Sequence, residues 1–419
     1  MLRNPKYLYG ESDIKIPVEQ NYGAFVLNKL TSFGDKTAFI NGETDESVTH
    51  RTLAQRAVNL AISLARMGVG KGDTVALCSE NRTEFWSTVV GVVCAGAVLS
   101  TINMGYTKGA IPSSKMKIDN FWRNVVQVFY QLSDELTHVM GIGQPKYIFC
   151  SPLAYQTHAK NFQSLRYIKK IIVFGEETLP NTTPFEDLVK ENVDLNEFQP
   201  VDVEGQDTVM MLYSSGTTGL PKGVMITHYN CLVSAAELGF DTDAPDLTQL
   251  TITPWYHTMG LMATLHSMSA GITNVYLTHF ELKLYLNCIQ KYKPVGKIGP
   301  GTFRVEGDAL TLTSKCKQYF PKLTAVLILV PPVMVLLAKT ELIDGYDVSS
   351  VFVIYCGAAP LDLDTINAVK KKFPNMLAVL QGYGMTETTL AVTRDSLNLD
   401  NPSEFKPEAS AWSPRGLSS

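Results

Sequence analysis

Eleven consecutive residues, Tyr213-Ser214-Ser215-Gly216-Thr217-Thr218-Gly219-Leu220-Pro221-Lys222-Gly223, carry the densest chemistry of the chain. The three glycines let the backbone turn sharply and come close to a ligand. Backbone N–H groups and the Ser/Thr hydroxyls supply donors for phosphate oxygens, and Lys222 supplies a positive point charge. The combination predicts a polyphosphate cradle. The P-loop of ordinary NTPases needs a Gly, four residues, then Gly-Lys-Ser/Thr. Counting on from Gly216 reaches Pro221 instead of glycine, and Lys222 is followed by Gly223. Apolar strand candidates lie on both sides, 208–213 and 223–227, so the segment is expected to join two strands as a long hairpin. A plain Ser/Gly/Thr linker has no reason to end in Pro-Lys-Gly between two such strands.

Two further motifs follow strand candidates. After 351–356 comes Gly357-Ala358-Ala359-Pro360, whose small side chains let a flat ring approach the backbone. After 377–381 comes Gln381-Gly382-Tyr383-Gly384-Met385-Thr386-Glu387-Thr388. It offers an aromatic face for a base, a hydroxyl for a phosphate oxygen and a carboxylate for a hard cation such as Mg²⁺. Open α/β sheets bind ligands just past the carboxyl ends of their strands. Either motif alone fits a strand-to-helix turn; together with the Gly/Ser/Thr segment they point to a nucleotide site. A third candidate is His257, in Pro254-Trp255-Tyr256-His257-Thr258-Met259-Gly260. A lone histidine is more often structural than catalytic, and its setting between aromatics and a glycine brings the two roles level. The other histidines form no HxxxH or HExxH metal pattern.

The elements that must position these residues alternate. Leu53, Ala57, Leu60, Ala61 and Leu64 recur at helical spacing, and Gly68 can close that helix. Short strands are expected at 74–78, 98–102, 146–150 and 170–174, with a helix at 86–97. The second half repeats the theme with strands at 323–330, 351–356 and 377–381, a helix after Pro331-Pro332 and another at 362–372. Strand–helix alternation predicts an α/β layered fold with mostly parallel strands.

At 419 residues, 45% hydrophobic and 18% charged, the chain has the length and composition of a globular protein of two or three domains. A net charge of −4 argues against a dedicated nucleic-acid binder. Seven scattered cysteines with no CxxC pair fit reduced, buried thiols in an intracellular protein, not a disulfide framework or a zinc site. No secretory signal is expected at the N-terminus. The apolar runs 86–104 and 323–338 are interrupted by glycines and by Pro331-Pro332, and are expected in the core, not in a membrane.

With the three motifs in this order, residues 20–400 resemble the adenylate-forming (AMP-binding) acid–CoA ligases, within them the insect coumarate–CoA ligase-like and beetle luciferase-like branch. The resemblance implies a large N-terminal domain of two mostly parallel α/β subdomains packed as a layered sandwich, plus a smaller β-barrel part. It implies that ATP and a small-molecule carboxylic acid form an acyl-adenylate, and that CoA then takes the acyl group; in luciferases O₂ oxidises the adenylate instead. By resemblance, Ser214, Ser215, Gly216, Thr217, Thr218, Gly219 and Lys222 hold the β- and γ-phosphates. Gly357, Ala358 and Ala359 line the adenine and Tyr383 stacks on it, within a cofactor stretch that runs from Gln381 and Gly382 through Gly384 and Met385 to Thr386. Thr386 meets the α-phosphate, Glu387 the Mg²⁺, and His257 borders the reacting carboxylate. The acid is expected to be an aryl or medium-to-long fatty acid; a non-catalytic ATP- or acyl-binding remnant and a luciferase-like monooxygenase are the alternatives.

The chain also departs from that family. The Thr-Gly-Asp segment, the hinge and a small C-terminal domain of on the order of 100 residues, which carries the lysine that assists adenylation, are missing from its pattern. The barrel part is therefore expected to be incomplete, with exposed apolar edges and poor order after about residue 395, and the activity to be impaired. Residues 109–133 and 295–321 read as insertions and 403–419 as a non-family tail. These fit translated intronic sequence and a frame change, or else natural loop insertions in a short isoform. The parent family is often peroxisomal, but Gly416-Leu417-Ser418-Ser419 is no Ser-Lys-Leu signal, so a cytosolic location is expected. The oligomeric state is not legible.

Overall fold

The computed structural model describes residues 16, 21–105, 135–191, 193–214, 220–237, 248–293, 303–304, 325–395 and 397–398. Helix α1 (Tyr22–Phe33) leads into strands β1 (Thr37–Asn41) and β2 (Ser47–Thr49), then α2 (His50–Arg66), whose start is capped by Thr49 accepting from the Thr52 N–H. The chain continues through β3 (Thr74–Cys78), α3 (Thr83–Cys94), β4 (Val98–Thr101), α4 (Glu135–Gly143), β5 (Tyr147–Cys150), α5 (Pro152–Ser164), β6 (Lys170–Val173), β7 (Thr183–Pro184) and α6 (Glu186–Val189). Strands β8 (Thr208–Ser214) and β9 (Lys222–Thr227) complete a seven-stranded sheet ordered β7-β6-β5-β3-β4-β8-β9. All its pairs are parallel except β8 with β9.

Both faces of the central strands of this sheet are buried, and the alternation along β3 shows how. Val75 and Leu77 join the core beneath α1, α2 and α3, whereas Ala76 and Cys78 join a second core beneath α4 and α5. The apolar run of α3 is buried throughout from Phe85 to Cys94, which places the long apolar segment in the core as expected. No described helix is long and apolar enough to cross a membrane. Cys78, Cys94, Cys150, Cys231, Cys288 and Cys356 are buried and unpaired, and burial pushes their thiols up.

The chain then runs through α7 (His228–Glu237), β10 (Thr248–Thr251), α8 (Thr258–Ser269), β11 (Thr273–Tyr276), α9 (Leu282–Tyr292) and β12 (Phe303–Arg304). It continues with β13 (Ala325–Leu329), α10 (Pro331–Lys339), β14 (Val351–Cys356), α11 (Leu363–Lys372), β15 (Ala378–Met385), β16 (Leu390–Arg394) and β17 (Leu397–Asn398). One four-stranded sheet has the order β13-β14-β15-β16, a second β10-β11-β1-β2, and β12 pairs with β17. Asp362 caps α11 by accepting from the Thr365 N–H at 2.8 Å, and Lys370, Lys371 and Lys372 complement its C-terminal dipole.

The expected α/β architecture with mostly parallel strands is present, and no sheet among the described residues closes into a barrel. Three elements differ from the sequence expectation. The N-terminal α1–β1–β2 unit, with β10 and β11, builds a sheet that the residue pattern did not announce. The segment after His257 is a helix, α8, with Leu261, Met262, Leu265 and Met268 buried at helical spacing. Strand β15 does not stop at Gln381 but runs to Met385, because β16 folds back antiparallel and supplies its partner. The segment 109–133 and the tail 403–419 lie outside the described residues, and 295–321 is described only at Phe303–Arg304.

Candidate nucleotide site

The expected hairpin exists. Ser214 closes β8 and pairs antiparallel with Lys222 at the start of β9, and Tyr213 pairs with Gly223. The segment between them therefore leaves and re-enters the sheet at one edge. Ser214 is half-buried and Lys222 exposed, while Ser215, Gly216, Thr217, Thr218 and Gly219 lie outside the described residues. Tyr213 anchors the entry: its hydroxyl donates to the Val139 carbonyl at 2.9 Å and lies 3.0 Å from Ser100 Oγ.

Strands β14 and β15 run in parallel register, Cys356 opposite Gln381, so the motifs after them emerge side by side. A Cβ at Gly357 would lie 3.5 Å from the Gly382 carbonyl oxygen and 3.7 Å from Met259 Cε, which brings the Gly357, Gln381–Thr388 and His257 stretches together at one point. Ala358 and Ala359 are exposed beside it, and Ala358 adopts φ +74°, a left-handed conformation that costs an L-residue about 1–2 kcal/mol. Buried Gln381 braces this turn, its Oε1 accepting from the Leu361 N–H at 3.0 Å. Its own N–H donates to Asp395 Oδ2 at 2.8 Å. Gln381 thus shapes the site through the backbone.

Gly382 and Gly384 flank the exposed ring of Tyr383. The tight approach at Gly384 is made by the protein itself, since a Cβ there would fall 1.7 Å from the Leu390 carbonyl oxygen. That contact accompanies the register shift between Tyr383 and Gly384. Met385 is exposed, and Thr386–Thr388 forms a single 3₁₀ turn that lies against β8 and β9. This turn carries the exposed Glu387 to the hairpin that bears Ser214 and Lys222. A cleft of about 410 Å³ opens beside Glu387, between Tyr229, Val233 and Ser234 of α7 and Ala391 and Val392 of β16.

His257 sits at the N-cap of α8. The residue is accessible from the open side, yet protein crowds its ring elsewhere, and desolvation pushes the imidazole down to about 4. It is neutral at pH 7. Its loop is fixed from the ends of β3 and β4: Asn81, in the connection after β3, accepts from the Trp255 N–H at 2.9 Å and donates to the Thr253 carbonyl at 3.2 Å, and Thr101, the last residue of β4, donates to the Tyr256 carbonyl at 2.8 Å. Trp255 is fully buried against Phe39, Trp86 and Tyr276. Gly260 is obligatory, because a Cβ there would lie 2.1 Å from the Pro254 carbonyl oxygen. From α8, Thr258 Oγ1 donates to Thr386 Oγ1 at 3.2 Å and ties the histidine loop to the Glu387 turn.

Asn81, Thr101, His138, Thr258 and Asp395 escaped the sequence reading. Thr258 stands in the His257 stretch without a role of its own there, the others belong to no motif, and only the contacts reveal their part. Among the described residues no group of His, Cys, Asp or Glu could hold a metal by itself.

The β8–β9 hairpin, with two strand-end motifs on a neighbouring, mostly parallel sheet, gives an α/β protein of the adenylate-forming architecture. The chain belongs to the AMP-binding enzyme family, whose profile matches residues 28–303 and 307–411. It is 29% identical over 382 residues to 4-coumarate–CoA ligase 2 of Petroselinum crispum, covering 90% of this chain and 59% of that one. It is 28% identical over 404 residues to luciferin 4-monooxygenase of Photuris pensylvanica, covering 93% and 64%. Its fold matches the red-emitting luciferase of Phrixothrix hirtus with a TM-score of 0.70 at 27% identity, over 89% of this chain and 62% of that one. The chain thus spans about three-fifths of the length of the relatives it matches.

Proposed function

We propose that this site binds ATP and activates a carboxylic acid, aryl or medium-to-long aliphatic, as an acyl-adenylate that then passes its acyl group to CoA. The observation that carries the proposal is the meeting of three motifs: the Ser214–Lys222 hairpin, the Glu387 turn and the His257 helix converge on one sheet edge. In the proposed reaction a carboxylate oxygen attacks the α-phosphorus, the bond to the β-phosphate bridge breaks, and pyrophosphate leaves. Attack of one anion on another requires charge neutralisation and positioning above all. Lys222 and the donors around it supply charge at the triphosphate tail. Tyr383, exposed beside Gly357 and Ala358, offers a face for the adenine. Neutral His257 can hydrogen-bond the substrate carboxylate without titrating near pH 7.

The donor set suits Mg²⁺ that arrives on the nucleotide. Glu387 is a lone exposed carboxylate, and Mg²⁺ commonly takes one or two carboxylates with phosphates and waters completing its shell. Held by Glu387, Mg²⁺ would neutralise phosphate charge.

ATP–pyrophosphate exchange with a panel of aryl and fatty acids tests this. Acid-dependent exchange is expected, followed by thioester formation when CoA is added. ATP binding with no exchange for any acid would favour a binding remnant, and acid-dependent consumption of O₂ with light would favour a luciferase-like oxidation.

A further inference from the structure

Helix α4 touches both ends of the Gly/Ser/Thr segment. His138 Nε2 lies 2.9 Å from the Pro221 carbonyl oxygen. A carbonyl only accepts, so Nε2 carries the proton and donates. One residue on, the Val139 carbonyl accepts from the Tyr213 hydroxyl at 2.9 Å. One turn further, a Cβ at Gly143 would lie 3.3 Å from that same hydroxyl oxygen, and a Cβ at Gly223 would lie 2.9 Å from Ile142 Cγ2. Positions 138, 139, 142 and 143 share one helical face. That face therefore grips Tyr213, where the chain enters the segment, and Pro221 and Gly223, where it leaves.

Pro221 has no N–H, so its carbonyl is the only polar backbone atom through which its position can be fixed. The peptide plane that contains this carbonyl also contains the Lys222 nitrogen and Cα. Anchoring the oxygen thus sets the point and direction from which the exposed Lys222 side chain departs. A partly buried histidine spent on this one carbonyl, on the same helical face that meets Tyr213 and Gly223 through Val139, Ile142 and Gly143, points to a part in placing the hairpin beyond the core packing that Leu136 and Met140 supply.

We propose that His138 is a positioning residue for Lys222, holding the lysine in the geometry that meets a triphosphate tail; this rests on the nucleotide-binding proposal above. His138 acts through the backbone of Pro221. Losing its bond lowers the fraction of chains with Lys222 correctly placed, and apparent affinity falls by that fraction.

The experiment compares the wild type with His138→Leu and His138→Gln, the glutamine restoring an N–H donor at similar reach. MgATP is titrated calorimetrically into each. Separately, amide hydrogen exchange is followed in the unliganded proteins across residues 213–225, and thermal unfolding is recorded. His138→Leu is expected to weaken ATP by about threefold to tenfold, the scale of one net hydrogen bond. It should also speed exchange at Lys222 and Gly223. His138→Gln should recover most of both. Wild-type affinity and exchange in His138→Leu would overturn the proposal. So would a loss of affinity that tracks a fall in melting temperature and resists rescue by glutamine, because that marks a merely structural histidine. If the wild type binds no ATP, the nucleotide proposal fails and Lys222 positioning for a triphosphate fails with it. The exchange comparison, which needs no ligand, then still decides whether His138 clamps the hairpin.

Discussion

Thr258 Oγ1 donates to Thr386 Oγ1 across 3.2 Å, joining residues 128 positions apart in the chain. Thr258 opens the helix that follows His257, and Thr386 opens the turn that carries Glu387. One hydroxyl pair therefore sets the relative position of the two side chains proposed to meet the acid and the metal-bound phosphates. Thr386 retains acceptor capacity and a hydroxyl proton of its own for a ligand. Thr258→Val is expected to lower pyrophosphate-exchange kcat by about tenfold, the effect of about 1.4 kcal/mol of lost positioning, with ATP affinity changed far less. Steady-state exchange kinetics check this; an unchanged kcat would show the pair to be incidental.

Lys222 begins β9 at the edge where Ser214 ends β8. Lys222→Ala should weaken MgATP by about tenfold or more, the scale of a charge-assisted hydrogen bond, and leave thermal stability unchanged because the residue is exposed. Calorimetric titration and a melting curve on the same sample decide it. Unaltered ATP affinity would remove the hairpin from the nucleotide site.

Gly384 and Gly260 are required by the protein's own backbone. A methyl at either would meet the Leu390 or the Pro254 carbonyl oxygen well inside contact distance. Gly384→Ala and Gly260→Ala should each cost about 2–3 kcal/mol or more in urea unfolding. Gly345→Ala, where a Cβ meets nothing within 4 Å, is the control and should be nearly neutral.

Ala358 is strained at φ +74°. Ala358→Gly relieves about 1–2 kcal/mol of left-handed cost and adds about 0.5–1 kcal/mol of unfolded-chain entropy, so a small net gain is expected. Ala358→Val should be clearly destabilising. A marked loss of stability in the glycine variant would mean that the methyl itself makes a needed contact.

His228 gives the fold a pH dependence. Its Nδ1 accepts from the Tyr22 N–H at 3.0 Å, the side chain is buried, and desolvation pushes the imidazole down to about 4. The unfolded chain takes up this proton near pH 6.5 and the folded chain does not. The stability contributed is therefore complete above pH 6.5 and is lost progressively as the pH falls toward 4, by on the order of 3 kcal/mol in full. Urea melts between pH 7 and 4 should show this slope. His228→Asn, which keeps an acceptor but cannot titrate, should lessen the slope without abolishing it, because desolvation holds His257 down at about 4 as well; an unchanged slope in that variant would assign the whole effect to other groups.

The sequence by itself determined the α/β alternation, the buried apolar strands and the three motifs. Each depends on local pattern: hydrophobic periodicity for the elements, and glycine, hydroxyl and lysine spacing for the Ser214–Lys222 hairpin. It also determined that Tyr213 and Gly223 would flank that hairpin, because apolar strands stood on both sides. Only the tertiary structure decided how the motifs meet. The parallel register of Cys356 with Gln381, the extension of β15 to Met385 against β16, and the Thr258–Thr386 bond are pairings between distant segments. Asn81, Thr101 and His138 are ordinary residues in sequence, and become part of the site because the ends of β3 and β4, and helix α4, bring them to the carbonyls of Thr253, Tyr256 and Pro221. Local spacing specifies which atoms can do chemistry, whereas long-range packing specifies where those atoms stand, since the energy of the folded arrangement lies in contacts that no short stretch of chain contains.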